Sequence, residues 1–194
     1  IEGQGKNNGA INRARVNSES QLEVRSVCSS EVEHSVLSGD AFQAYTGLIN
    51  LANANKTAIL YIQNNDVADI MLTTATLGTN QSTGGADSAV LVEAVGNVIA
   101  SDDIVLNGVD VLVLNRNGGS PRTFEGIAKK GASLAAANGV ASNGTLSDLT
   151  GAHTFNLTTA VPKGGAVALE VTPPAGNTSM NITATVGFHV VESV

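Results

Sequence analysis

The stretch "MNITATVGFHV", residues 180–190, alternates along its whole length. Met180, Ile182, Ala184, Val186, Phe188 and Val190 are apolar, and Asn181, Thr183, Thr185, Gly187 and His189 between them are polar or small. Successive side chains of a strand point to opposite faces, so the pattern predicts a strand with one face on a core and the other toward water. His189 belongs to the solvent face on this reading. The segment before it, "GAVALEV" (165–171), predicts a neighbouring strand, and Pro173-Pro174-Ala175-Gly176-Asn177 between the two reads as a rigid reversal. Proline fixes φ there, and Gly or Asn can supply φ > 0. Register at this turn matters, because a slip of one residue would carry Met180 through Val190 outward.

Working outward, the chain reads as strand after strand. "TAILYIQN" (57–64) is apolar on both faces and predicts a central strand. Further strands are expected at 69–78, 89–95, 104–108, 109–117 and 153–161, with a short one inside 118–131. Asn64-Asn65-Asp66, Gly96-Asn97 and Asn107-Gly108 are turn signals, and 79–88 is a loop by composition. Leu22, Val24 and Cys28 alternate, as do Val32, His34 and Val36, which suggests strands joined near Ser29-Ser30. Residues 132–144, "ASLAAANGVASNG", are the one expected helical turn, kept short by glycine. Many short strands with almost no amphipathic helix predict an all-β fold, an antiparallel β-sandwich. The chain has one cysteine and no tryptophan, so the paired cysteines and core tryptophan of antibody domains are missing, which favours a jelly roll. Residues 1–20 show no apolar period and read as an extended arm. The expected organisation is an arm with the first strand or strands over 1–40 and a sandwich over 41–194.

Composition narrows the function classes. Hydrophobic residues make up 42% of the chain but aromatics only 3%, so the core must be aliphatic and stacking platforms for bases or sugars are disfavoured. A net charge of −7 speaks against nucleic acid as a partner. No apolar run approaches the roughly 18–20 residues that would span a membrane, and no signal-peptide pattern is visible. Four basic and three acidic residues fall in the first 25 positions, net +1, leaving −8 for the remainder. A slightly basic arm on an acidic body suits docking onto another protein.

Enzymatic chemistry finds no constellation. There is no G-x-S-x-G elbow, no H-E-x-x-H and no C-x-x-C, and His34, His153 and His189 have no legible partners. Cys28 reads as a buried thiol in a strand. Asp66, Asp69, Asp102, Asp103 and Asp110 lie in or near expected loops and supply the oxygen ligands that calcium takes, although none matches an EF-hand. The glycines at 3, 5 and 9 follow no strand and open no helix, so no phosphate cradle is expected. Arg122 with Lys129-Lys130 reads as a small basic surface spot. Six N-x-S/T triplets, Asn177 among them, follow from a composition rich in Asn, Ser and Thr. No cofactor is implied.

The N-terminal "NNGAINRARVNSESQLEVRSVCSSEVEHSVLSGDAFQAYTGLINL" resembles the opening of virion structural proteins of tailed bacteriophages, marine ones especially. "TAILYIQNND", "LNRNGGSPRTFEGIAKKG" and "VPKGGAVALEVTPPAGNTSMNITATVGFHV" resemble later parts of the same proteins. The similarity spans most of the chain in loose stretches and carries no catalytic signature. The group includes capsid decoration, or cement, proteins. The resemblance implies a β-sandwich on the outside of an icosahedral head, bound to the major capsid protein and commonly trimeric. It implies a non-enzymatic protein, a virion location and no membrane. Arg13, Arg15 and Arg25 are the candidate partner-binding residues on the arm. A tail, neck or fibre component, with host adhesion as its extreme, is the alternative.

Overall fold

The structure, a computed structural model, describes residues 2–4, 11–13, 15–16, 22–23, 30–80, 83–84, 89–131, 135–148 and 151–191. It divides into two units, Ile1–Ser30 and Glu31–Val194. In the first, β1 (Glu2–Gln4) pairs antiparallel with β2 (Ile11–Arg13), and β3 (Arg15–Val16) with β4 (Leu22–Glu23). Val24, Arg25 and Cys28 lie outside the described residues.

The second unit opens with α1 (Glu31–Ser38), where the alternation of Val32, His34 and Val36 predicts a strand. Three residues spaced by two also contain an i, i+4 pair, so the pattern fits either period. The deciding signals lie at the ends. Glu31 and Glu33 sit in the first turn, where the helix dipole favours negative charge. Gly39 takes φ 83° just past the last turn. Its N–H donates to Val36 O, and the Asp40 N–H reaches Ser35 O at 2.8 Å, which is a Schellman cap.

The strands that follow are β5 (Ala41–Tyr45), β6 (Ile49–Leu51), β7 (Thr57–Gln63), β8 (Ile70–Thr79) and β9 (Ala89–Gly96). After α2 (Asp103–Asn107) come β10 (Val109–Asp110), β11 (Val113–Asn115) and β12 (Ile127–Lys130). The chain finishes with β13 (Val140–Asp148), β14 (Gly151–Val161), β15 (Ala166–Thr172) and β16 (Met180–Val190). One sheet has the order β11-β5-β16-β8-β14 with β6 also on β16, and the other β10-β12-β7-β15-β9-β13. Every pairing in both is antiparallel.

Setting aside the short β6, β10, β11 and β12 leaves eight principal strands. Numbered along the chain, they form one sheet in the order first-eighth-third-sixth and another in the order second-seventh-fourth-fifth. That is the double Greek key of a jelly roll. The core lies between the sheets. All six apolar residues of β16 are buried in it, and β7 is buried on both faces as its composition predicts. Phe42, Phe124 and Phe188 gather in one corner with ring centroids 4.9–5.8 Å apart.

Three further segments differ from the sequence reading. Residues 104–108 are not a strand but α2 and its end, because the Asp102 carboxylate accepts the Ile104 N–H and caps the turn. The run 109–117 is two strands in different sheets, as the chain crosses from β12's side to β5's side at Val111-Leu112. Ala135–Ala137 form no helix, and Val140 opens β13. The Ala135 carbonyl accepts from Ala58 N, and the Ala137 N–H donates to Glu170, so this stretch is held by a strand edge and a carboxylate. At the last turn the reversal is as read: Asn177 N bonds Pro174 O at 3.1 Å with Gly176 at φ 79°, a type II turn.

Candidate interaction surfaces

Among the described residues, several buried polar side chains hold the structure together. Asp66 is buried in the corner after β7, where its carboxylate takes the Val67 N–H, the Glu125 N–H and the Arg122 guanidinium at 3.0 Å. Arg122 pairs with Asp40 as well and lies 5.8 Å from the centre of the Phe42 ring. It therefore ties the β11–β12 connection to both neighbouring corners, and is not part of an open basic spot. Lys129 likewise donates to the Val105 carbonyl at 2.6 Å.

Four of the five aspartates raised as calcium ligands, Asp66, Asp69, Asp102 and Asp103, serve as loop anchors. Asp102 is buried at the start of α2 and accepts from Asn138 N. Asp69 accepts the Lys163 N–H and Asp103 the Asn107 side-chain amide. No group of three metal-ligating side chains comes together among the described residues.

Two carboxylates do meet on the outer face of the second sheet. Glu93 and Glu170 are directly opposed across β9 and β15, and Lys56 pairs with Glu93 while lying 3.5 Å from Glu170. The hydrogen bond that Lys56 donates to Glu93 raises the Lys56 pKa, with the charge of Glu170 adding to it against partial burial. Beside this trio the face is roofed. Val98, Ile104 and Ala137 pack onto Ala58, Tyr61, Val95 and Ala168 as a second apolar cluster. Burial raises the Tyr61 pKa, and the nearby Asp102 charge raises it further.

The outer face of the first sheet is different. At one end α1 packs, and His189 is buried there, 3% exposed, with Nε2 3.4 Å from Glu31 Oε1. The solvent-facing expectation for His189 fails because a helix covers that end of the strand. Beyond α1 the register sets Leu114, Gln43, Gly187, Thr74 and Asn156 in one row across five strands. The next row holds Tyr45, Thr185, Thr76 and Thr154, with the last two hydroxyls 2.9 Å apart. No Asp, Glu, Lys or Arg occurs in either row.

Of the three arm residues singled out in the sequence, Arg13 stands in register with Glu2 and Arg15 with Glu23. Arg25 is outside the described residues. The uncharged face went unrecognised in the sequence. Its signal was present, since the polar half of "MNITATVGFHV" contains no charge, but the flanking strands can be identified only from pairing.

No protein-family model matches the chain, and no curated protein sequence does. Among solved structures it is similar to tomato aspermy virus, determined by X-ray crystallography, with 13% identity over 88% of this chain and 84% of that one and a TM-score of 0.27. It is also similar to the T=1 particle derived from infectious bursal virus, with 9% identity over 79% of this chain and 40% of that one and a TM-score of 0.22. Overlaps of this size carry no argument, and the jelly-roll assignment rests on the strand order itself.

Proposed function

We propose that this chain is a virion structural protein that binds the outer surface of a phage head as a decoration, or cement, subunit. It works through protein–protein contacts with the major capsid protein and performs no chemistry. The observation that carries this reading is the state of its polar groups: the jelly roll commits its buried carboxylates, Arg122 and Lys129 to holding loops and strands together. What remains for a partner is surface. The sequence resemblance to tailed-phage virion proteins supplies the class of partner. Residues 1–30, a unit of their own with net charge +1, carry the anchoring, and Arg13, Arg15 and Arg25 supply its basic contacts. Backbone pairing can give such a segment affinity without a built pocket, and copy number on a head turns a modest contact into stable occupancy.

Deleting residues 1–20 is expected to leave the melting transition of the jelly roll in place and to lower occupancy on purified heads at least tenfold. Full occupancy of the truncated protein would overturn the anchoring role. Electron microscopy of virions labelled with an antibody to this chain tests the location, and label on tails alone would overturn the reading as a whole.

A further inference from the structure

The chain treats the outer faces of its two sheets unequally. Among the described residues of the jelly roll, α2 and Ala137 roof the second, and α1 covers the first at one end. The rows described above are rich in threonine and free of charge. Along the β5–β11 edge they present large apolar groups, with Tyr45 53% and Leu114 46% exposed, and Leu112 beside them 70% exposed. Depletion of charge with aromatic and aliphatic anchors is the composition of an interface core.

We infer that this face is a contact between two copies of the chain. Charge selects the occupant. The unit from Glu31 onward carries −8, so two copies repel across any acidic surface they bring together, and least across a face with no charge at all. A basic partner would gain most elsewhere, on the acidic surface, and nothing here rewards it. A face meeting itself is isologous and closes at two copies, not at the three that the resemblance implies. Five strands about 4.8 Å apart and about five residues of about 3.4 Å each give a sheet area of roughly 400 Å². That is about half of the roughly 800 Å² per partner of a stable complex, so the pair forms weakly and with concentration.

The inference does not rest on the shell-binding reading. Sedimentation velocity of the full chain, run from micromolar to near-millimolar, is expected to show the mass rising from 19.6 kDa toward twice that value. Added salt should strengthen the pair by screening the net charge. Thr185→Glu places one carboxylate near its copy and should weaken association at least tenfold. Asn156→Glu, on the exposed outer strand, does the same at a position tolerant of substitution should the first variant fail to fold. Ser101→Glu, in the turn before α2, should associate like the parent. A parent that stays at monomer mass throughout would overturn the inference. So would a three-copy species, or glutamate variants of the face that pair as the parent does. Dimerisation by a chain that fails to bind heads would remove the shell reading and leave this one standing.

Discussion

Asn177 shows how a residue's chemistry depends on what folds around it. In the sequence it opens an N-x-S/T triplet in an apparent surface turn. In the structure it is buried, and its side-chain amide donates to Leu51 O and Asn53 O, both at 2.8 Å. It thereby fastens the β15–β16 turn to the end of β6, more than 120 residues away in sequence. Asn177→Ala leaves two carbonyls without their donor and should cost about 2–3 kcal/mol, by the usual penalty for unpaired buried groups. For a chain of this length that is a fall in Tm of roughly 5–10 °C. Asn177→Asp is nearly isosteric but faces two acceptors with an acceptor, so differential scanning calorimetry should show a larger loss at neutral pH than for alanine. Equal melting of the Asp variant and the parent would remove the anchoring role. The turn chemistry around Asn177 was legible from Pro173 and Gly176. The anchor was not, because its partners lie in a segment with no sequence pattern linking it to the turn.

At the scale of elements, alternation was legible where a strand is long and half-buried. β16 shows it most clearly, and Ile182 at its middle is fully buried between the sheets. Ile182→Asp puts a carboxylate among aliphatic side chains with no partner, a cost of several kcal/mol. The expected result is loss of soluble protein and of the cooperative melting transition, and an unchanged melting curve would contradict the packing. Short elements were less legible for a definite reason: over eight residues or fewer, apolar spacing fits two periods, and the ends decide. Gly39 decided α1, and substitution there tests it. With φ at 83°, and with a β-carbon that would fall 2.2 Å from Ser120 Oγ, Gly39→Ala should lose more than the usual left-handed penalty of about 1–2 kcal/mol. Thermal melts of Gly39→Ala against Gly118→Ala, whose site is open, separate strain from propensity. Residues 135–144 of the expected helical turn differ for another reason, since alanine has strong helix propensity but the backbone at Ala135 and Ala137 is recruited by Ala58 and Glu170.

At the scale of the whole molecule, the sandwich class and its jelly-roll tendency could be inferred from strand number and the missing cysteine pair, but the order of strands could not. First pairs with eighth and second with seventh, so the contacts that define the fold link distant parts of the chain. The roofing of one sheet and the uncharged rows on the other follow from that order and were equally hidden. The roof has a measurable signature. Tyr61 beneath it and Lys56 beside it both have pKa values raised above their ordinary ones, Tyr61 chiefly by burial and Lys56 chiefly by the Glu93 hydrogen bond. Each group therefore holds its proton more tightly in the folded chain than in the unfolded one. Above the unfolded values, about 10 for tyrosine and about 10.4 for lysine, the folded state binds more protons, and stability falls as pH rises. Below pH 10 both contributions are fully present. The melting temperature should hold level below about pH 9.5 and then drop as the pH rises past about 10. Tyr61→Phe removes the phenol and keeps the ring, so it should flatten part of that drop while changing the neutral-pH melt little. Lys56→Gln should do the converse: it lowers the neutral-pH melt, by leaving Glu93 and Glu170 opposed without their cation, and it too reduces the alkaline slope. An alkaline transition of undiminished slope in both variants would mean that the roofed face does not govern it.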